Sequence, residues 1–149
     1  MKTKLILLTV LGLLLLPAFA SATHFTDLTG LGDCAGWSAM ATVQWRYGVT
    51  EGTMDYTVSL LDVDNNVLET FTWEGAVTRD DSADQVFEYF DMWTVEADAG
   101  SYTVVGHFHL VSPYSGGVDE SSMDFEFNFT CDTVSAEAQT WSAVKDLYR

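Results

Sequence analysis

The sequence predicts an antiparallel all-β domain of about seven strands. Three observations predict it. Apolar and polar residues alternate with period two over Trp37–Tyr47 and again over Ser122–Cys131. Asn65-Asn66 separates two further β-rich runs, and asparagine tolerates the positive φ of a tight hairpin turn. No long helical pattern precedes residue 133.

The first element is an address. Lys2 and Lys4 form a positive start, Leu5 to Leu16 an apolar run, Pro17 a helix breaker, and Ala20-Ser21-Ala22 a small-residue cleavage site. This is the grammar of a secretory signal peptide, cleaved after Ala22 or, as the alternative, after Ala20. A run of about a dozen residues is short for a membrane span of about 20. The expected organisation is a signal peptide over 1–22, a β-sandwich domain over 23–132 and a helical tail over 133–149. The chain is then secreted, periplasmic or displayed at the cell surface, with no membrane insertion once the leader is gone.

Charge narrows the partners. The 149 residues carry 22 acids against 6 Lys and Arg, a net charge of −16. Loss of the leader leaves 127 residues with all 22 acids and four cations, Arg46, Arg79, Lys145 and Arg149, a charge of −18. A phosphate-binding face needs clustered Lys and Arg, so nucleic acid is excluded as a partner. Two Cys exclude a Cys-only zinc site.

The strands follow in order. His24–Thr29 suits an edge strand. In Trp37–Tyr47 the odd positions are apolar and the even ones polar, and only Met40 breaks the polar row. Asp55–Val63 and Val67–Trp73 flank the asparagine turn. Gly75–Asp84 is polar and expected as a loop. Gln85–Glu96 is β-rich with apolar residues on both faces (Val86, Phe87, Tyr89, Phe90, Trp93, Val95). Ser101–Val111 and Ser122–Cys131 complete the set; the last alternates Met123, Phe125, Phe127, Phe129 and Cys131 against Asp124, Glu126, Asn128 and Thr130.

The heptad Asp98-Ala99-Gly100-Ser101-Tyr102-Thr103-Val104 resembles the tyrosine corner of immunoglobulin-like and fibronectin-III-like β-sandwiches of secreted bacterial proteins. There the Tyr hydroxyl bonds backbone a few residues upstream and pins the turn into the penultimate strand. The resemblance implies an immunoglobulin-like sandwich and is silent on function. Val104 stands where antibody domains place a buried Cys, so their central disulfide is absent. In such a plan the second strand starts at the pole where the last strand ends. Cys34 and Cys131 are then neighbours, and a secreted chain with two Cys pairs them.

His107 and His109 lie two apart and share one strand face. The opposite face, with Tyr102, Val104, Phe108 and Leu110, reads as core. If Phe108 pairs with Phe125, then His109 faces Asp124 and His107 faces Glu126, a donor set for a divalent transition metal such as zinc. Ordinary cross-strand matching is the favoured reading, because a flat sheet closes a tetrahedron poorly. No cofactor is expected; Zn²⁺ here and Ca²⁺ at the acidic loops are the alternatives left open. Asp62, Asp64 and Asn66 open like a calcium loop, but Val67 and Trp73 stand where its Gly and bidentate Glu belong. Nucleophilic catalysis lacks a Gly-x-Ser-x-Gly and a third central His.

Aromatics Trp73, Tyr89, Trp93 and Tyr114 admit a carbohydrate-binding reading beside the favoured one, an aromatic core. The segment Ser112–Gly117, with Tyr114, is the expected binding loop, and Trp93 its companion. In the tail, Ser135 suits a helix cap. Ala138, Trp141, Val144 and Tyr148 (or Leu147) share a helical stripe, with Lys145 and Arg149 near the negative end. The expected function is an exported, non-catalytic module binding a protein or polysaccharide. The alternative is a structural subunit of a surface layer or filament, and a minor one a carbohydrate-active enzyme.

Overall fold

The computed structural model describes residues 22–80, 82, 84–95 and 98–132. The expected signal helix, but for Ala22, and the expected C-terminal helix lie outside the described residues. Seven strands form: β1 (His24–Gly32), β2 (Gly36–Gln44), β3 (Glu51–Leu61), β4 (Val67–Thr78), β5 (Asp84–Met92), β6 (Gly100–Tyr114) and β7 (Gly117–Cys131). They build two antiparallel sheets, one of three strands in the order β1-β2-β5 and one of four in the order β4-β3-β6-β7. Among the described residues no helix is long and apolar enough to cross a membrane.

The core lies where the two alternating patterns meet. Strand β2 contributes Trp37, Ala39, Ala41 and Val43; β3 contributes Met54, Val58 and Leu60; β6 contributes Val104, Phe108 and Leu110. The small Ala39 and Ala41 leave room for rings from the facing sheet. Tyr56 sits at the centre, with ring centroids 5.0 Å from Phe108, 5.1 Å from Tyr89 and 5.4 Å from Trp37. Edge-to-face and offset pairs at such spacings add to the area they bury. A second accommodation joins the sheets at their β1/β7 side. The Phe125 ring occupies the space that side chains at Gly30 and Gly106 would need, so both positions exclude a Cβ.

Side chains strap both open flanks of this β-sandwich-like body. On one flank Asp119 accepts from the Thr23 amide (2.8 Å) and from Arg46 Nε (2.7 Å) and Nη2 (2.8 Å). On the other, Glu69 of β4 accepts from the amides of Thr94 (2.9 Å) and Val95 (3.2 Å), just beyond β5. At one pole the disulfide Cys34–Cys131, Cα atoms 5.7 Å apart, ties the β1–β2 connection to the end of β7. The Tyr102 hydroxyl donates to the Asp98 carbonyl at 2.9 Å, as the corner motif implies.

Three expectations change. Gly75–Thr78 is strand, because the long β3 pairs down to Glu51–Thr78 and an edge strand needs no apolar side chains to hold its ladder. The strand expected over Gln85–Glu96 ends at Met92, and that over Trp37–Tyr47 ends at Gln44. Beyond it the Val49 amide donates to the Arg46 carbonyl in a turn, which turns Tyr47 out to solvent, 92% exposed. The asparagine hairpin forms, but Asp62 organises it. Its carboxylate accepts from the amides of Asp64 (2.9 Å) and Asn66 (2.8 Å), while Asn65 alone takes positive φ (61°).

Candidate functional site

The four-stranded sheet turns a polar face outward. Rows across it read Glu74, Asp55, His109, Ser122 and then Thr72, Thr57, His107, Asp124. This register corrects the expected metal constellation. Phe108 pairs with Met123, so His107 faces Asp124, His109 faces Ser122, and Glu126 lies opposite Val105. His107 Nδ1 stands 2.6 Å from Asp124 Oδ1, and His109 Nδ1 stands 2.9 Å from Asp55 Oδ2 on β3. Among the described residues no three His, Cys, Asp or Glu converge for a metal ion. The two histidines make separate cross-strand pairs. Asp62, the opening residue of the calcium-like stretch, has its carboxylate turned onto its own hairpin. Hydrogen bonds from Asn66, first its side chain and then its amide, hold that carboxyl below the usual range.

The reason for the register is the turn. Tyr114 pairs with Gly117, leaving only Ser115 and Gly116 to connect β6 and β7. Gly117 takes φ +151°, a value suited to glycine. The expected binding loop Ser112–Gly117 is therefore almost all strand. Tyr114 lies against Arg46, whose guanidinium carbon is 4.1 Å from the ring centroid. Arg46 grips Asp119 through two parallel bonds. The side-chain bonds from Arg46 hold the Asp119 carboxyl below its ordinary range, against the opposing effect of desolvation. Tyr114 thus belongs to a strap that joins β1, β2 and β7.

The other aromatics are inward. Trp93 is 8% exposed and donates its indole N–H to the Asp33 carbonyl at 2.9 Å, so it is core and not a surface platform. Tyr89 donates to Met54 Sδ at 3.2 Å, and burial pushes its phenol up to about 12. Trp73 stacks on Tyr56, centroids 5.8 Å apart, with its outer edge open at the β4 side.

The three-stranded sheet carries the face that sequence reasoning missed. Its outward rows pair Gly36 with Met92, then Leu31, Ser38 and Phe90, then Thr29, Met40 and Glu88, then Asp27, Thr42 and Val86. Phe90 is 80% exposed, Met92 69%, Leu31 57%, Val86 53% and Met40 49%. Five large apolar side chains on one three-strand face form a contiguous patch, and such patches mark contact surfaces. Acids rim it: Glu88 and Asp27 within the rows, and Asp84, which accepts from Gln44 Nε2 at 3.5 Å, at the far end. Two signals for it stood in the sequence. Met40 broke the polar row, and the β5 run carried apolar residues on both faces.

The disulfide suits an oxidising, extracytoplasmic compartment. No protein-family model matches this sequence, and no curated protein matches it. Several solved structures are similar in shape. A glycosyl hydrolase family 2 member from Bacteroides cellulosilyticus is 14% identical with a TM-score of 0.42; the match covers 70% of this chain, which spans 14% of the length of that enzyme. A protein from Arabidopsis thaliana is 7% identical, TM-score 0.46, over 82% of this chain and 92% of that one. A protein from Archaeoglobus fulgidus is 10% identical, TM-score 0.42, over 74% and 99%.

Proposed function

We propose that this chain is an exported, non-catalytic β-sandwich module of immunoglobulin or fibronectin-III type. It binds a protein segment of mixed apolar and basic character through the outer face of its three-stranded sheet. The observation that carries the reading is that face: Leu31, Met40, Val86, Phe90 and Met92 exposed together inside an acidic rim of Asp27, Asp84 and Glu88. The three-plus-four sheet plan and the Tyr102 corner support the fold type. The way the polar groups are engaged supports a non-catalytic role. Arg46 and Asp119, His107 and Asp124, His109 and Asp55, and Glu69 with its two amides are each taken up in a local pair or strap. His107 and Asp124, with Glu126, line one depression of the outer face of the four-stranded sheet, and His109 and Asp55, with Glu74, line another; both lie open to solvent, and in each the histidine is spent on its own carboxylate partner.

The test is retention of the isolated chain on cell-surface fractions from its source. Phe90→Ser is expected to abolish retention, and Asp124→Asn, on the opposite face, to leave it intact. Retention unaffected by Phe90→Ser overturns the reading. Concentration-dependent polymers in electron micrographs would favour the structural-subunit alternative, and release of sugar from polysaccharide the enzymatic one.

A further inference from the structure

The three-stranded sheet is one strand narrower than its partner, and the shortfall falls on the β5 side. On the other side β1 packs against β7. On the β5 side Tyr89 meets Tyr56 of β3 and Trp73 of β4, with ring centroids 5.1 and 5.4 Å apart. No described strand lies beyond β5 in its sheet, so Trp73 points inward and yet stays partly exposed. Its ring lies along its own strand, over Gly75. The lane beside β5 is bounded at both ends. Glu69 closes one end through the amides of Thr94 and Val95. Gln85 closes the other, accepting from the Asp80 amide (3.1 Å) and donating to the Thr78 carbonyl (3.0 Å).

The edge that borders this lane can template a further strand. β5 pairs with β2 from Asp84 to Met92 without a bulge, and it holds neither Lys nor Pro. Those are the devices that usually blunt an edge. The Trp93 amide donates to the Ala35 carbonyl, towards β2, while the Met92 amide is taken by the Asp91 carboxylate. Backbone alternation then directs the amides and carbonyls of Val86, Glu88 and Phe90 at the open side. The side chains of these three stand exposed on the outer face. The edge strand of the other sheet, β4, differs, because its outer row of Thr70, Thr72 and Glu74 suits solvent.

Charge selects the occupant. A second β5, antiparallel and centred on this one, would set Glu88 against Glu88, and each chain carries a net charge of −16. An incoming strand is matched when it is basic opposite Glu88 and Asp84 and apolar opposite Val86 and Phe90.

We propose that an extended peptide segment of a protein partner, basic and apolar in alternation, adds to β5 as an antiparallel fourth strand of this sheet. Its outward side chains extend the apolar face and set a basic residue on Glu88, and its inward ones cover Trp73. This rests on the reading of that face as the recognition surface, and names how the partner is held. Backbone hydrogen bonds supply the affinity and alternate side chains the specificity.

The probe is a capped synthetic peptide of 9 residues, the length of β5. It carries valine, valine, lysine, valine and lysine at its odd positions and threonine at its even ones, and fluorescence anisotropy follows its binding to the full chain. N-methylation of the central lysine and one flanking valine removes two amides directed at β5. It is expected to weaken binding at least about tenfold. N-methylation of the two threonines beside the centre removes amides directed away, and binding is expected to stay within about twofold. Glu88→Lys is expected to weaken binding about threefold, and glutamate in place of the central lysine to restore it.

No binding at about 1 mM peptide overturns the strand addition, as does equal tolerance or equal loss for the two N-methylated forms. Failure of the charge exchange overturns the pairing with Glu88. Dimers seen by light scattering that the peptide dissolves assign the edge to a second copy and also overturn the proposal. If strand addition fails while Phe90→Ser still abolishes retention on the surface fraction, the recognition face stands and holds its partner in another way. If the peptide binds as expected while retention ignores Phe90→Ser, the strand addition stands and the reading of the face falls.

Discussion

The two sheets present opposite chemistries to solvent although both are built on the same period-two rule. The outer rows of the four-stranded sheet are mainly hydroxyls, carboxylates and two histidines, with Val105 and Val111 of β6 as scattered apolar members, while Met54, Val58, Leu60, Val104, Phe108 and Leu110 face in. The three-stranded sheet buries Trp37, Ala39, Ala41 and Val43 inward, yet also points Leu31, Met40, Val86, Phe90 and Met92 outward. Solvent alone explains the first face. The second costs solubility and invites edge pairing, so something other than solvent has shaped it. The comparison separates the residues that hold the body together from those that meet something else, and each can be tested against the other.

The largest effect is expected at the pole from which the second face starts. Replacing Cys34 and Cys131 by Ala opens a loop whose ends are 97 positions apart. On the chain-entropy model this costs about 4 kcal/mol, read as a lower urea midpoint. A loss under about 1 kcal/mol would show that the straps on the two flanks already fix that pole.

Next comes the layer between the faces. Gly106→Ala drives a methyl group into the Phe125 ring, which also fills the space above Gly30. The expected cost is about 1–3 kcal/mol by denaturant melts. Phe125→Leu in the Gly106→Ala background should recover part of it. Without that recovery, Gly106 is not there to seat the ring.

The acid limb of stability tests the strap. Asp119 is held below its ordinary value of 3.8, chiefly by the side-chain bond from Arg46. Such a group stabilises the fold fully above its unfolded value, and the contribution fades as pH falls through the lowered folded one. Stability should therefore drop below about pH 4, and Asp119→Asn should flatten that drop while lowering the neutral-pH Tm by several degrees. An unchanged acid limb in Asp119→Asn would move the effect to other carboxyls, such as Asp62.

Much of this was legible beforehand, and the reason lies in parity. Alternation reports which way a side chain points, so the buried face of β2 and the core row of β6 read directly from Trp37–Val43 and Tyr102–Leu110. Tyr102 and the cysteine pair read equally well, being tied to the pole they close. Partners did not read so well. The β6–β7 register came out two residues from the expected one, since Tyr114 and Gly117 close a two-residue turn that the Ser-Pro-Tyr-Ser-Gly-Gly run obscures. A slip of two keeps every face and changes every partner. Hence the two histidines stayed outward while their carboxylates were exchanged, Asp55 replacing Glu126 in the set. The apolar outer face was signalled by Met40 and by the two-sided β5 run. It stayed hidden because a two-sided strand is also what a fully buried one looks like.

The smallest effects are the sharpest test of the comparison. On the polar face, the exposed His107–Asp124 pair should contribute about half a kcal/mol or less, and a double-mutant cycle measures it. Saturating Zn²⁺ and a chelator should give equal melting midpoints, because the described residues gather no third ligand there. On the apolar face Phe90→Ser should also leave the melting of the body within about half a kcal/mol, since a ring that is 80% exposed buries little in the fold. Equal and near-zero costs on both faces would then coexist with unequal consequences, loss of retention for Phe90→Ser and none for Asp124→Asn. If instead Phe90→Ser destabilises the body by 2 kcal/mol or more, of the order expected for a core truncation, the ring is a structural element. The distinction between the two faces would then collapse into one of packing.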